Sequence, residues 1–142
     1  MRIYSIERYL GCWVSSSGHR MRIQKLNSKT ALVDFLDKTG APVSRPYMNS
    51  APAEQMTAHY DDYNGEFDVE LWKREKGFTL HLAYEYEYEL DELRSESLVP
   101  SISRYSEDEF LDDFYPLFGS LKHFVRDKTA EQDAPADSPR GL

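Results

Sequence analysis

The sequence predicts a mainly β protein, an antiparallel up-and-down β-barrel followed by a C-terminal amphipathic helical segment. Apolar and polar residues alternate over much of the stretch from about residue 10 to 105, and turn residues interrupt the alternation about every dozen residues. The apolar spacing becomes helical only after this stretch. Strands without long helices between them favour an antiparallel barrel or sandwich over strand–helix repeats. We therefore expect one barrel domain over residues 1–128 and a disordered tail over residues 129–142.

A β-hairpin is predicted over about residues 55–73. Its centre is Asn64-Gly65, the dipeptide that best tolerates the positive φ angles of a two-residue hairpin turn. Alternating apolar residues flank this turn on both sides: Met56, Ala58, Tyr60, Phe67, Val69 and Leu71. A second hairpin is predicted around Asn27-Ser28-Lys29, between alternating stretches that begin at Met21 and end at Phe35.

The next predicted strand separates tyrosines from glutamates. Side chains two residues apart share one face of an extended strand. One face of this strand carries Phe78, Leu80, Leu82, Tyr84, Tyr86 and Tyr88, and the other carries Thr79, His81, Ala83, Glu85, Glu87 and Glu89. We expect the tyrosine face to lie inside the barrel and the glutamate face in water.

A helical segment is predicted to begin at Ser106. Ser106-Glu107-Asp108-Glu109 is a capping box, whose serine and glutamate side chains satisfy the free amides of a first helical turn. Pro116 divides the segment because it lacks an amide hydrogen and crowds the preceding turn. We expect two helices, about 107–115 and 116–126, with one apolar stripe against the barrel: Phe110, Phe114, Leu117, Phe118, Leu121 and Val125.

Two short motifs resemble signatures of the lipocalins and related calycin barrels. Gly11-Cys12-Trp13 has the Gly-x-Trp pattern of their first strand, and Arg104 precedes the capping box as an arginine ends the last lipocalin strand. The resemblance implies that Arg104 packs across Trp13 at one end of the barrel, a cation–π contact of about 0.5–2 kcal/mol. It also implies a small hydrophobic ligand that the protein binds or carries, since eight strands enclose either a filled interior or one small molecule.

The tyrosine-rich inner face supplies the candidate ligand-binding residues, because large apolar side chains with a few polar groups line such pockets. The predicted lining is Phe67, Val69, Phe78, Leu80, Tyr84, Tyr86 and Tyr88. A core packed solid with the same side chains is the competing interpretation. Arg45 and Tyr47 are two residues apart and form a pair that can clasp a carboxylate. The related fatty-acid-binding proteins use an Arg-x-Tyr pair in this way in their last strand, whereas this pair lies early, beside prolines.

Charge and motif content exclude several function classes. The net charge of −8 and the excess of acids between residues 85 and 113 oppose nucleic-acid binding, which depends on basic groups. The single cysteine, Cys12, and a start interrupted by Glu7 and Arg8 predict a cytoplasmic protein without membrane contact. The four histidines lack spaced ligand partners, so we predict no metal and no cofactor. No motif of a nucleophilic enzyme occurs, so no catalytic residue is assigned, and a non-enzymatic protein is favoured over an enzyme.

An acidic stripe leaves a second function open. Its residues are Glu85, Glu87, Glu89, Asp91 and Glu92. Such a stripe often only keeps a strand soluble and discourages edge-to-edge aggregation. It also suits a non-enzymatic interaction module, an adaptor or an inhibitor, that presents an acidic surface to a basic protein partner.

Overall fold

A computed structural model describes residues 5–43, 56–73, 76–103 and 123–127. Arg45, Tyr47, Arg104, the predicted tail and all but the last residues of the predicted helices lie outside the described residues. The described chain forms a closed barrel of eight strands in sequence order, each antiparallel to its neighbours. A short 3-10 helix, η1 (Ile6–Tyr9), precedes them. The strands are β1 (Gly11–Ser15), β2 (Arg20–Asn27), β3 (Thr30–Leu36), β4 (Met56–Asp61), β5 (Glu66–Lys73), β6 (Lys76–Glu89), β7 (Glu92–Ser103) and β8 (Phe124–Arg126).

Both predicted hairpins are confirmed, and one of the two turns differs from its prediction. β2 and β3 pair from Arg20↔Leu36 to Asn27↔Thr30, and β4 and β5 pair up to Asp61↔Glu66. The β4–β5 hairpin therefore turns through residues 62–65 rather than through Asn64-Gly65 alone. The amide of Gly65 donates to the Asp61 carbonyl at 2.7 Å, and its φ of 74° is one that glycine adopts without steric cost.

The predicted second helix, about 116–126, is wrong at its end. Phe124–Arg126 form β8 and close the barrel between β7 and β1. Phe124 is buried and Val125 points outward, half exposed, which is the alternation of a strand. Three residues are too few for that alternation to be detected in the sequence, so the helical spacing upstream extended the prediction too far.

The core occupies the barrel interior. All eight strands and η1 contribute buried apolar side chains to a single cluster, whose largest fully buried members include Trp13, Phe35, Phe67 and Phe124. Full burial of each large side chain stabilises the fold by about 1.5–3 kcal/mol before entropic losses. The alternating residues predicted for the β4–β5 hairpin all belong to this cluster.

Strands β6 and β7 extend beyond the barrel wall. The β5–β6 pairing reaches only Phe67↔Leu82, and the β7–β8 pairing begins at Ser97↔Val125. Past these points the two strands pair with each other alone among the described strands. We call this projection, residues 85–95, the arm.

The prediction that the whole tyrosine face of β6 lies inside the barrel is wrong for the two tyrosines on the arm, Tyr86 and Tyr88. Tyr84 is half-buried at the barrel rim, but Tyr86 and Tyr88 are 45% and 62% exposed, because no described strand continues the barrel around them. The prediction that Glu85, Glu87 and Glu89 face water is confirmed.

The turn at the tip of the arm is conformationally costly. Leu90 and Asp91 connect the paired residues Glu89 and Glu92, and their φ angles are 54° and 66°. Positive φ at both positions defines a type I′ turn, which favours Asn-Gly because other side chains crowd the backbone there.

We predict that the double substitution Leu90→Asn with Asp91→Gly raises the free energy of unfolding by about 1 kcal/mol, since it relieves this strain. Urea denaturation of the variant and the parent measures the difference. A midpoint that is unchanged or lower would show that the tip is not strained.

Candidate functional site

One end of the barrel is sealed by η1. The ring of Tyr9 stacks on Phe67, with centroids 4.5 Å apart and planes 8° apart, and lies 5.7 Å from the Tyr60 ring. The indole Nε1 of Trp13 donates to the Tyr9 carbonyl at 2.9 Å, so the last residue of η1 is fixed to the first strand. Ile6 adds a second buried side chain. We call this the plugged end.

Arg126 lies at the centre of the plugged end. Its guanidinium carbon lies 4.0 Å from the centre of the Trp13 ring, a cation–π contact between β8 and β1. The same guanidinium donates to the carbonyls of Leu10 and Arg8, which flank the end of η1. Arg126 therefore makes with Trp13 the kind of contact that the sequence predicts for Arg104. Arg104 lies outside the described residues, so its contact with Trp13 stays a prediction.

A carboxylate completes the environment of Arg126. Nε donates to Oε2 of Glu96 at 3.2 Å, and an Nη donates to Oε1 at 3.0 Å, so the pair is bidentate. Both side chains are mostly buried. The Tyr84 hydroxyl donates to the same Glu96 carboxylate at 2.7 Å, and the Arg8 guanidinium carbon lies 4.2 Å from the centre of the Tyr84 ring.

Two tyrosines at the plugged end resist ionisation. Burial raises the pKa of Tyr9 to about 12, and the nearby Tyr60 adds to this effect. Burial also raises the pKa of Tyr84 to about 12, followed by its hydrogen bond to Glu96 and the charge of that carboxylate. Both phenols are therefore neutral at physiological pH, and neither acts as a base there.

The opposite end of the barrel receives the long connections. The chain leaves β3 at Leu36 and re-enters at Met56, and it leaves β7 at Ser103 and re-enters at Phe124, on that side. By contrast, the connections 28–29 and 90–91 at the plugged end are short. We call the opposite side the loop end. Val43 packs on the core there, and its amide donates to the Phe35 carbonyl at 2.7 Å.

The predicted ligand-lining residues fall into four groups: the barrel wall, its rim, the arm and the undescribed connection between β3 and β4. Four are fully enclosed by the barrel wall: Phe67, Val69, Phe78 and Leu80. Tyr84 lies at the rim of the plugged end, with its hydroxyl bound to Glu96, and Tyr86 and Tyr88 lie on the arm. Arg45 and Tyr47 lie outside the described residues, in the connection that joins β3 and β4 at the loop end.

Sequence analysis missed Arg126, Glu96 and Arg8. Arg126 follows apolar residues at helical spacing, so it was assigned to the predicted helix rather than to a strand. Glu96 lies near many other acids, and nothing in the sequence distinguishes it from them. The signal available for Arg8 was its position, three residues before the Gly-x-Trp motif.

The outer surface carries a separate acid–histidine pair. Nδ1 of His81 lies 2.7 Å from Oδ1 of Asp68 on the neighbouring strand, and about a third of each side chain is exposed. A polar contact this exposed contributes about 0–1 kcal/mol. Within the described ranges, no group of three or more His, Cys, Asp or Glu residues is arranged to hold a metal ion.

Comparisons with known proteins give no family for this chain. No family model matches it, and neither the curated proteins nor the solved structures include a match. In the described part of the chain, no helix is both long enough and apolar enough to cross a membrane.

We predict that Arg126→Met lowers the free energy of unfolding by about 2–4 kcal/mol, because it leaves the mostly buried Glu96 without its counter-charge and the carbonyls of Leu10 and Arg8 without this donor. The matched control is Arg94→Met. Arg94 pairs with Glu89 and Glu92 on the exposed arm, so its loss should cost less than about 1 kcal/mol. Urea denaturation compares the two. Equal losses would show that Arg126 does not organise the plugged end.

Stability should also fall at high pH. A tyrosine whose pKa is 10 unfolded and about 12 folded favours folding while it is neutral, so its contribution is complete below pH 10 and is lost as pH rises toward 12. We predict that Tyr84→Phe reduces the decrease in unfolding free energy between pH 10 and 12. Denaturation curves of variant and parent at each pH test this, since lysine titration is common to both. Identical pH slopes would contradict the prediction.

Proposed function

We propose that the protein binds or carries one small hydrophobic molecule inside its barrel, in the manner of the lipocalins, and that the molecule enters at the loop end. The observation that carries this proposal is the difference between the two ends of an apolar barrel. Small ligands bind in concave apolar sites and in the mouths of β-barrels. Here η1 closes one end of the barrel, whereas the two long connections, from β3 to β4 and from β7 to β8, join the strands at the other end.

The contact between Arg126 and Trp13 supports the lipocalin-like interpretation. In the lipocalins an arginine packs across the tryptophan of the first strand near the closed end of the barrel. Here Arg126 of the last strand makes this contact with Trp13 of the Gly-x-Trp motif. Because η1 plugs one end, we place the entry of the ligand at the loop end.

The ligand we propose has an apolar body and an acidic head. Apolar side chains line the described interior, as Val69, Leu71 and Leu80 do, so they suit a hydrocarbon or a flat ring. Arg45 and Tyr47 belong to the connection at the loop end, where a carboxylate would remain if the apolar body entered first. A fatty acid is the simplest molecule of this kind.

Native mass spectrometry of freshly purified protein tests the proposal. We expect an adduct that disappears on denaturation, or a one-to-one complex after incubation with palmitate. Arg45→Gln should weaken the palmitate complex, while Arg94→Gln on the arm should not. A protein that stays free of palmitate at saturating concentration would overturn the proposal.

Val69→Phe distinguishes an interior with room from one packed solid. In a barrel that accepts a ligand, the added ring occupies the ligand's space, so palmitate binding is lost while the unfolding free energy changes by less than about 1 kcal/mol. In a filled barrel the same change destabilises by about 1–3 kcal/mol.

Val125→Phe is the matched control, because Val125 points outward from the barrel. It should alter neither palmitate binding nor the midpoint of urea denaturation. Binding of palmitate by Val69→Phe with unchanged affinity would place the ligand outside the barrel.

A further inference from the structure

The arm has two unlike faces. One face continues the tyrosine face of β6 and carries Tyr86, Tyr88 and, across the pairing from Tyr88, Leu93. These side chains are between 42% and 62% exposed. The other face carries Glu85, Glu87 and Glu89, all exposed. The arm therefore presents an apolar, aromatic surface with a dense negative charge directly behind it.

The base of the arm already binds an arginine. The Arg8 guanidinium carbon lies 4.2 Å from the centre of the Tyr84 ring and 4.9 Å from that of Tyr86. The ring centroids are similarly spaced further along the strand, 5.6 Å from Tyr84 to Tyr86 and 5.5 Å from Tyr86 to Tyr88, but the planes of the first pair lie 31° apart and those of the second pair 89° apart. Arg8 already covers part of Tyr86, so Tyr88, which is 62% exposed, is the ring that offers solvent a face on which a further guanidinium can stack.

The negative charge of the arm indicates which kind of molecule it would bind. Residues 85–95 include five acids, Glu85, Glu87, Glu89, Asp91 and Glu92, and a single base, Arg94. A second copy of the chain would bring like charges together, which is unfavourable across paired strands. A basic segment gains both attraction from the carboxylates and stacking on the rings.

The tip of the arm adds an independent observation. Leu90 is 86% exposed and adopts φ 54°, which costs roughly 1–2 kcal/mol for a residue with a side chain. A leucine this exposed buries little apolar surface in the isolated fold. Strain of this kind is concentrated at binding sites, where the leucine can reach an apolar group of the partner.

We propose that the arm is a docking site for a basic protein segment, in which an arginine of the partner stacks on the exposed ring of Tyr88, beside Tyr86, and apolar side chains contact Leu90 and Leu93. The carboxylates behind the rings attract the segment and make the complex sensitive to salt. This site is independent of the barrel interior, so the protein can bind a small molecule and a protein partner together.

Fluorescence anisotropy with labelled synthetic peptides tests the proposal on the full chain. The probe is acetyl-Gly-Arg-Leu-Arg-Leu-Arg-Gly-amide, and its lysine counterpart has the same charge without the planar group. We expect the arginine peptide to bind at 20 mM NaCl at least threefold more tightly than the lysine peptide. Its Kd should rise about tenfold at 200 mM NaCl because surface charges are screened.

Variants assign the peptide to the arm. Tyr86→Ser with Tyr88→Ser should raise the Kd at least tenfold, and Glu87→Lys severalfold. The matched controls are Tyr63→Ser, because Tyr63 is 90% exposed in the β4–β5 turn, and Glu70→Lys on the outer face of β5. Neither control should change the Kd, and thermal unfolding confirms that each variant is folded.

Several results would overturn the proposal. These are no binding of the arginine peptide at 20 mM NaCl, equal affinity for both peptides, or equal weakening by Tyr63→Ser. A dimer in sedimentation equilibrium that Tyr86→Ser with Tyr88→Ser abolishes would identify a second copy as the occupant instead.

Discussion

Arg126 is a cation in an apolar barrel, and its environment determines how the plugged end is built. A guanidinium that leaves water must recover its hydrogen bonds and its counter-charge within the protein. Arg126 recovers them from Glu96 of β7 and from the carbonyls of Leu10 and Arg8, while the Trp13 ring of β1 covers its face. The guanidinium thus connects β1 and β7 to η1. Strand β8 has three residues, and it closes the barrel between β7 and β1 and positions Arg126 at the plugged end.

The plug has consequences for both ends of the molecule. The last residue of η1, Tyr9, lies beside Tyr84 at the plugged end, with ring centroids 5.9 Å apart, and beyond Tyr84 the strand β6 continues outside the barrel as the arm. The carbonyl of Arg8, in η1, accepts a hydrogen bond from Arg126, and the guanidinium of Arg8 contacts the rings of Tyr84 and Tyr86. The same helix therefore closes the barrel and supports the base of the arm, so a ligand inside and a partner on the arm would bind on opposite sides of η1.

Sequence periodicity predicted most of the barrel because strands with one wet face alternate strictly. The positions from Met56 to Leu71 are buried in the order that their alternation requires. Periodicity cannot show where a neighbouring strand ends, however, and the limit of burial on β6 is set by β5, which stops pairing at Leu82. The alternation within β6 therefore predicted Tyr86 and Tyr88 to lie inside the barrel, although β5 does not extend far enough to pair beside them.

The plugged end was predicted only in part for a similar reason. Trp13 was identified from its motif, but its partner comes from a strand more than a hundred residues later that is too short to have a period. Sequence separation of this size carries no local signal, and only closure of the barrel brings Arg126 to Trp13. The carboxylate of Glu96 became recognisable only once Arg126 was in place.

Methyl NMR with a spin-labelled fatty acid distinguishes a ligand inside the barrel from one on the arm most directly. Leu71 and Leu80 report on the interior, and Leu90 and Leu93 report on the arm. If the barrel binds the ligand, the methyl signals of Leu71 and Leu80 broaden at one equivalent, while those of Leu90 and Leu93 stay sharp. Broadening confined to Leu90 and Leu93, or none at all, would contradict a ligand-binding barrel.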